Sequence, residues 1–144
     1  MEFKILKYNM SKSTKIQIYF YSILIISIIW LFIFPKPIKN FAPIIFGVPT
    51  FPIFIFNFRN KLEDFSIALK RKLPDLFQKY VVDYGISADI GEIVNIGVLS
   101  KNTDFENLKD VELYQMYVLC KQSIRLAFLS FCIIALLGFA TVYL

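Results

Sequence analysis

The residues best equipped for chemistry are three carboxylates in "DYGISADIGE", Asp83, Asp89 and Glu92, and two thiols, Cys120 and Cys132. Acid and base work needs two carboxyl groups held a few ångströms apart in surroundings that separate their pKa values. Asp83, Asp89 and Glu92 could in principle hold a divalent ion or a polar substrate, but their spacing matches no metal loop. Solvated loop carboxylates are the simpler reading. The cysteines lie twelve apart on what reads as one helix, too far for a disulfide. Cys120 is open to acylation or serves as a small apolar helix residue. The chain has no histidine, which excludes His-ligated zinc, His-held haem and His-based triads. No catalytic constellation emerges, and the expectation is a non-enzymatic protein with no cofactor, no metal and no evident small-molecule substrate.

The elements that must position these groups are mostly apolar. Of 144 residues 57% are hydrophobic and 19% charged, more apolar side chain than a soluble domain of this size can bury. Two runs of nineteen residues carry no charge, 16–34 and 126–144. Each is about 28 Å long as a helix, against a hydrocarbon core of roughly 30 Å. The first follows Lys4, Lys7, Lys12 and Lys15 as a signal peptide would, yet it is too long for one and "FIFPKPIKNF" offers no small-residue cleavage site. Tyr19, Tyr21 and Trp30 suit headgroup anchoring.

A third charge-free run, 41–58, contains Pro43, Pro49 and Pro52. Pro43 falls in a first helical turn. Pro49 and Pro52 each remove an interior hydrogen bond, at roughly 3 kcal/mol in a soluble helix. A membrane span tolerates this where hydroxyls such as that of Thr50 satisfy freed carbonyls, so a Pro-kinked span is expected, with a re-entrant segment as the alternative. Lysines and arginines number four before the first span, two between the first and second, and ten from Arg59 to Arg125. The rule that basic segments stay inside then places the N-terminus and the 59–125 segment in the cytoplasm and the C-terminus outside.

The expected architecture is an all-α integral membrane protein of three transmembrane helices with a small helical cytoplasmic module. A basic N-terminus (1–15) precedes the first span (16–34), an outer loop (35–40) and the second span (41–58). Cytoplasmic amphipathic helices and a loop (59–110) lead to a long helix that becomes the third span (111–144). Within the module Leu62, Phe65, Leu69 and Leu73 recur at helical spacing beside Lys70, Arg71 and Lys72. That basic cluster either contacts anionic headgroups or forms a solvated face. Pro74 opens a second helix carrying Leu76, Phe77, Tyr80, Val81 and Tyr84, with Gly85 as its stop. "ISADIGEIVNIGVLSKN" reads as a loop or short extended piece. Thr103 with Glu106 matches a capping box, and Asp110 caps a helix from Val111. Leu113, Tyr117, Cys120 and Ile124 should pack on the 62–84 helices.

Ten basic and ten acidic residues balance across 59–125, which argues against nucleic acid. The spans hold no ionisable side chain of the kind transport requires. Ser123, Ala127 and Ser130 present small residues for helix–helix packing. Phe77, Tyr80, Tyr84, Tyr114 and Tyr117 are candidate anchors for a membrane or cytoplasmic protein partner, or for self-association, although a private core would use the same side chains. The alternative functions are a self-assembling pore or membrane-disrupting effector, and a lipid-active enzyme using Asp83 or Asp89.

"LKRKLPDLFQKYVVDYG" followed by "DVELYQMYVLCKQSIRLAFLSFCIIALLGF" resembles small bacterial membrane proteins of the universal stress protein B type. The matching positions are Pro74, Leu76, Phe77, Tyr80 and Gly85, then Asp110, Leu113 and the helix beyond, over about the last 85 residues. This chain carries an additional N-terminal span. The family has no established catalytic residues, so the resemblance implies an integral membrane protein with an unresolved, stress-related role.

Overall fold

The computed structural model describes residues 2–83 and 92–143, with side chains for 14–82 and 92–143. It is mostly helical. Helix α1 (Glu2–Ile33) is followed by a 3-10 turn (Ile38–Phe41) and α2 (Ala42–Lys72); then come α3 (Pro74–Tyr80), strands β1 (Val81–Asp83) and β2 (Glu92–Val94), a 3-10 turn (Ile96–Val98), α4 (Thr103–Glu106) and α5 (Val111–Tyr143). Three helical stretches are long and apolar enough to cross a membrane: Thr14–Ile33, Ile38–Lys72 and Val111–Tyr143. The chain divides into two units, residues 1–53 with 128–144, and residues 54–127.

In the first unit, α1, the first part of α2 and the last part of α5 pack through a narrow set of side chains. Phe20 meets Phe46 edge to face at 5.7 Å. The Tyr19 hydroxyl donates to the Pro49 carbonyl at 3.0 Å. Gly47 lets α5 approach closely, since a Cβ there would stand 3.1 Å from Cδ1 of Ile134. The Trp30 indole donates to the Ile38 carbonyl at 3.0 Å and so ties the end of α1 to the following turn, in which the Lys36–Pro37 peptide is cis. Large apolar side chains such as Ile18, Phe32, Val48, Phe128 and Phe139 point outward. That is the reverse of a soluble bundle, where such residues form the core.

Helix α2 continues through both Pro49 and Pro52. Their missing N–H groups free the carbonyls of Ile45 and Val48. The Thr50 hydroxyl does not compensate either one. It donates to the Phe46 carbonyl, its own position four back, at 2.5 Å.

The second unit is a small domain built on the 54–72 part of α2 and the 111–127 part of α5. Its core is Leu62, Phe65, Leu69, Phe77, Val94, Leu99, Phe105, Leu113, Tyr117 and Cys120. Leu62, Phe65 and Leu69 fall at the expected helical spacing. Leu73 does not join them: α2 ends at Lys72, Leu73 leaves the helical conformation before Pro74, and its side chain is exposed. The Asp110 carboxylate accepts from the Leu113 N–H at 3.0 Å, the cap expected for α5.

The unit is mostly helical as expected, with one short ribbon in the stretch expected as a loop or extended piece: Val81–Asp83 and Glu92–Val94 pair antiparallel, with Val81 opposite Val94 and Asp83 opposite Glu92. Two expectations need correction here. Helix α3 stops at Tyr80 and Val81 belongs to a strand; β-branched Val81 and Val82 favour the ribbon, and the Asn95 N–H closes it on the Tyr80 carbonyl at 2.9 Å. The 103–106 turn is capped by Asn102, whose side chain accepts from the Asp104 N–H at 2.8 Å, and Thr103 is already its first helical residue. Tyr84, Gly85 and Asp89 lie outside the described residues.

Candidate functional site

The residues singled out for chemistry and contact fall mostly in the 54–127 unit, and their positions follow from its core. Phe65, Phe105 and Tyr117 meet mutually in edge-to-face and tilted contacts, with Phe65 5.5 Å from Phe105 and 6.1 Å from Tyr117 and Phe105 5.6 Å from Tyr117 between ring centroids, and Tyr80 adds a ring 5.1 Å from Phe105. The Tyr117 hydroxyl donates to the Leu99 carbonyl at 3.1 Å, which satisfies its polar end within the core. Ser66 is buried among them. Its hydroxyl donates to the Leu62 carbonyl at 2.7 Å and accepts from the Val94 N–H at 3.0 Å, so β2 is fastened directly to α2.

Of the candidate anchors, Phe77 and Tyr117 are therefore core residues with no surface to offer a partner. Tyr80 is half-buried, and its hydroxyl donates to Asp104 at 2.7 Å. Tyr114 alone among the described candidates is exposed, at 42%, beside the likewise exposed Val111 at 68% and Leu73 at 38%. Lys72 connects these positions, since its ammonium donates to Asp110 at 2.9 Å and to Glu112 at 2.5 Å. It thereby holds the end of α2 against the start of α5. The basic end of α2 and the acidic start of α5 also complement the respective helix dipoles.

The cluster Lys70, Arg71 and Lys72 is not a uniform basic patch. Lys70 pairs with Glu92 at 2.5 Å and Lys72 with the two α5 carboxylates; Arg71 is exposed with no ion pair among the described residues. Lys79 pairs with Asp104 at 2.7 Å, and Lys121 with Glu106 at 3.1 Å. The Lys79 ammonium, aided by the Tyr80 hydroxyl, holds the Asp104 carboxyl below its ordinary range, and the same contacts raise the Lys79 pKa. The cap bond from Leu113 and then the Lys72 ammonium lower that of Asp110.

Ser123, Ala127 and Ser130 are all buried. The Asn57 amide on α2 donates to the Ser123 hydroxyl at 2.9 Å, so within this unit the small residue admits a helix of the same chain. Cys120 is buried in the core, which leaves no accessible thiol for acylation there. No group of three or more potential metal ligands occurs among the described residues. Sequence reasoning missed Ser66, Asn102 and Asp104. Asn102 was recognisable, because asparagine is among the strongest N-cap residues. The other two carry no local signal, since their partners lie 28 and 24 positions away.

No family model, no curated protein and no solved structure matches this chain.

Proposed function

We propose that this chain is a non-enzymatic, multi-pass protein of the inner (plasma) membrane, whose cytoplasmic 54–127 unit serves as the docking base for a protein partner. The N-terminus lies in the cytoplasm and the C-terminus outside, as the uneven lysine and arginine counts require. The observation that carries the docking role is the set of exposed apolar side chains Leu73, Val111 and Tyr114, on a unit whose rings Phe65, Phe77, Phe105 and Tyr117 are spent on its own core. The paired carboxylates support a structural rather than a catalytic use of charge. Asp104, Asp110, Glu106, Glu112 and Glu92 each hold a lysine.

Hydroxyls in the apolar runs support the accessory reading over a pore. Ser22, Ser27, Thr50 and Thr141 each donate to a carbonyl of their own helix, which leaves those protons unavailable to line an ion path. The stress-related role belongs to the proposal through the universal stress protein B resemblance alone.

Placing a photo-crosslinking phenylalanine derivative at Tyr114 in living cells tests the docking role. An adduct with another protein that disappears in Val111→Ser supports it, and an adduct of twice the chain's mass identifies a second copy as the partner. Labelling of lipid only would refute docking at this edge. Collapse of the membrane potential on induction would favour the pore.

A further inference from the structure

Four lysines of the 54–127 unit, Lys70, Lys72, Lys79 and Lys121, each hold a carboxylate within 3.1 Å. Its three arginines, Arg59, Arg71 and Arg125, are exposed and hold none among the described residues. Of these, Arg59 and Arg125 are set apart by position: each is the charged residue that borders a charge-free run, 41–58 for Arg59 and 126–144 for Arg125.

The two runs end at the same level of the unit. The Asn57–Ser123 bond at 2.9 Å and the Lys72–Glu112 bond at 2.5 Å make α2 and α5 antiparallel neighbours there. Arg59 lies two residues beyond Asn57 and Arg125 two beyond Ser123, so each is displaced about 3 Å along its helix, in opposite directions. Their separation along the bundle is about 6 Å, within a headgroup layer roughly 5–8 Å deep. Two residues also turn a helix by about 200°, which carries both guanidinium groups away from the helix contact and toward the surroundings. One turn before Arg59, Ile55 and Phe56 are exposed, so the outward face changes from apolar to cationic within a single turn.

We propose that Arg59 and Arg125 form a phosphate-binding belt that selects anionic phospholipid headgroups, in place of the Lys70–Lys72 cluster. A planar guanidinium offers paired donors to a phosphodiester, and neither arginine must first give up a carboxylate partner. Lys70 and Lys72 would have to break ion pairs to do the same. This inference rests on the membrane reading above.

The full-length chain, reconstituted in phosphatidylcholine vesicles with and without phosphatidylglycerol, tests it through flotation and through the preference for spin-labelled phosphatidylglycerol over phosphatidylcholine. The wild type should float and show that preference. Arg59→Gln with Arg125→Gln should lower the preference about fivefold per arginine while flotation and helix content hold. Arg59→Lys with Arg125→Lys should retain most of it, and Lys70→Gln, Arg71→Gln and Lys72→Gln together should leave it unchanged. An unaltered preference in the Arg59→Gln, Arg125→Gln variant, or a loss in the triple variant of the 70–72 cluster instead, would overturn the belt alone. Failure of the wild type to float with any vesicle would overturn the membrane reading itself.

Discussion

The Asn57 amide and the Ser123 hydroxyl, 66 positions apart in the chain, meet at 2.9 Å and align α2 with α5 where both leave their charge-free runs. This partly buried bond sits among apolar neighbours, where removing one partner strands the other. Ser123→Ala should therefore destabilise the protein by about 0.5–1.5 kcal/mol. Ser123→Leu should cost more, because a branched side chain must force the helices apart. Thermal unfolding of purified protein in detergent, followed by circular dichroism, measures both.

The aromatic core makes an opposite prediction for two residues of similar appearance. Phe77 is fully buried, so Phe77→Ala should cost about 3–5 kcal/mol and lower the yield of folded protein. Tyr114→Ala should change stability by no more than about 0.5 kcal/mol and act on partner capture alone. Equal thermal shifts in the two variants would contradict this division.

Much of that division was legible in the residues themselves. Leu62, Phe65 and Leu69 recur at helical spacing and are buried, and the three apolar runs coincide with the three helices long enough to span. The spacing of Leu113, Tyr117 and Cys120 likewise turns Tyr117 inward, as expected. Which of Phe77, Tyr80 and Tyr114 does so was not legible, because it depends on partners such as Phe105, brought in by tertiary contacts that local spacing does not encode. The β1–β2 ribbon was hidden for a similar reason, since three-residue strands carry too little alternation to register and β2 depends on the Ser66 hydroxyl.

The cap assignment separates two neighbouring side chains. Asn102→Ala should cost about 1 kcal/mol, because the Asp104 N–H loses its acceptor, whereas Thr103→Ala should be nearly neutral. Comparison of urea midpoints for the two variants checks the assignment. A larger loss for Thr103→Ala would restore the Thr103–Glu106 capping box.

The Lys79–Asp104 pair gives a pH dependence of definite sign. Asp104 titrates below its ordinary value of 3.8 in the folded protein, so its contribution is complete above that value and is lost as pH falls through the lowered one. Lys79 titrates above 10.5, so its contribution is complete below 10.5 and disappears as pH rises through the raised value. The difference in melting temperature between wild type and Asp104→Asn should stay flat through the neutral range and shrink in acid below pH 3.8. A difference that changes between pH 6 and pH 8 would assign the effect to another group.

Membrane topology is the central claim, and accessibility of single cysteines tests it most directly. With Cys120 and Cys132 replaced by alanine, intact cells carrying Asn40→Cys, Lys101→Cys or a cysteine after Leu144 are treated with an impermeant thiol reagent. Lys101 is exposed and so reports topology, whereas Asn102 is buried as a cap. Labelling at position 40 and at the C-terminus, with Lys101→Cys reacting only after the cells are broken, is the predicted result. Labelling of Lys101→Cys in intact cells with protection of the C-terminus would contradict it, because Pro49 and Pro52 would then interrupt the second span and the 54–127 unit would face outward.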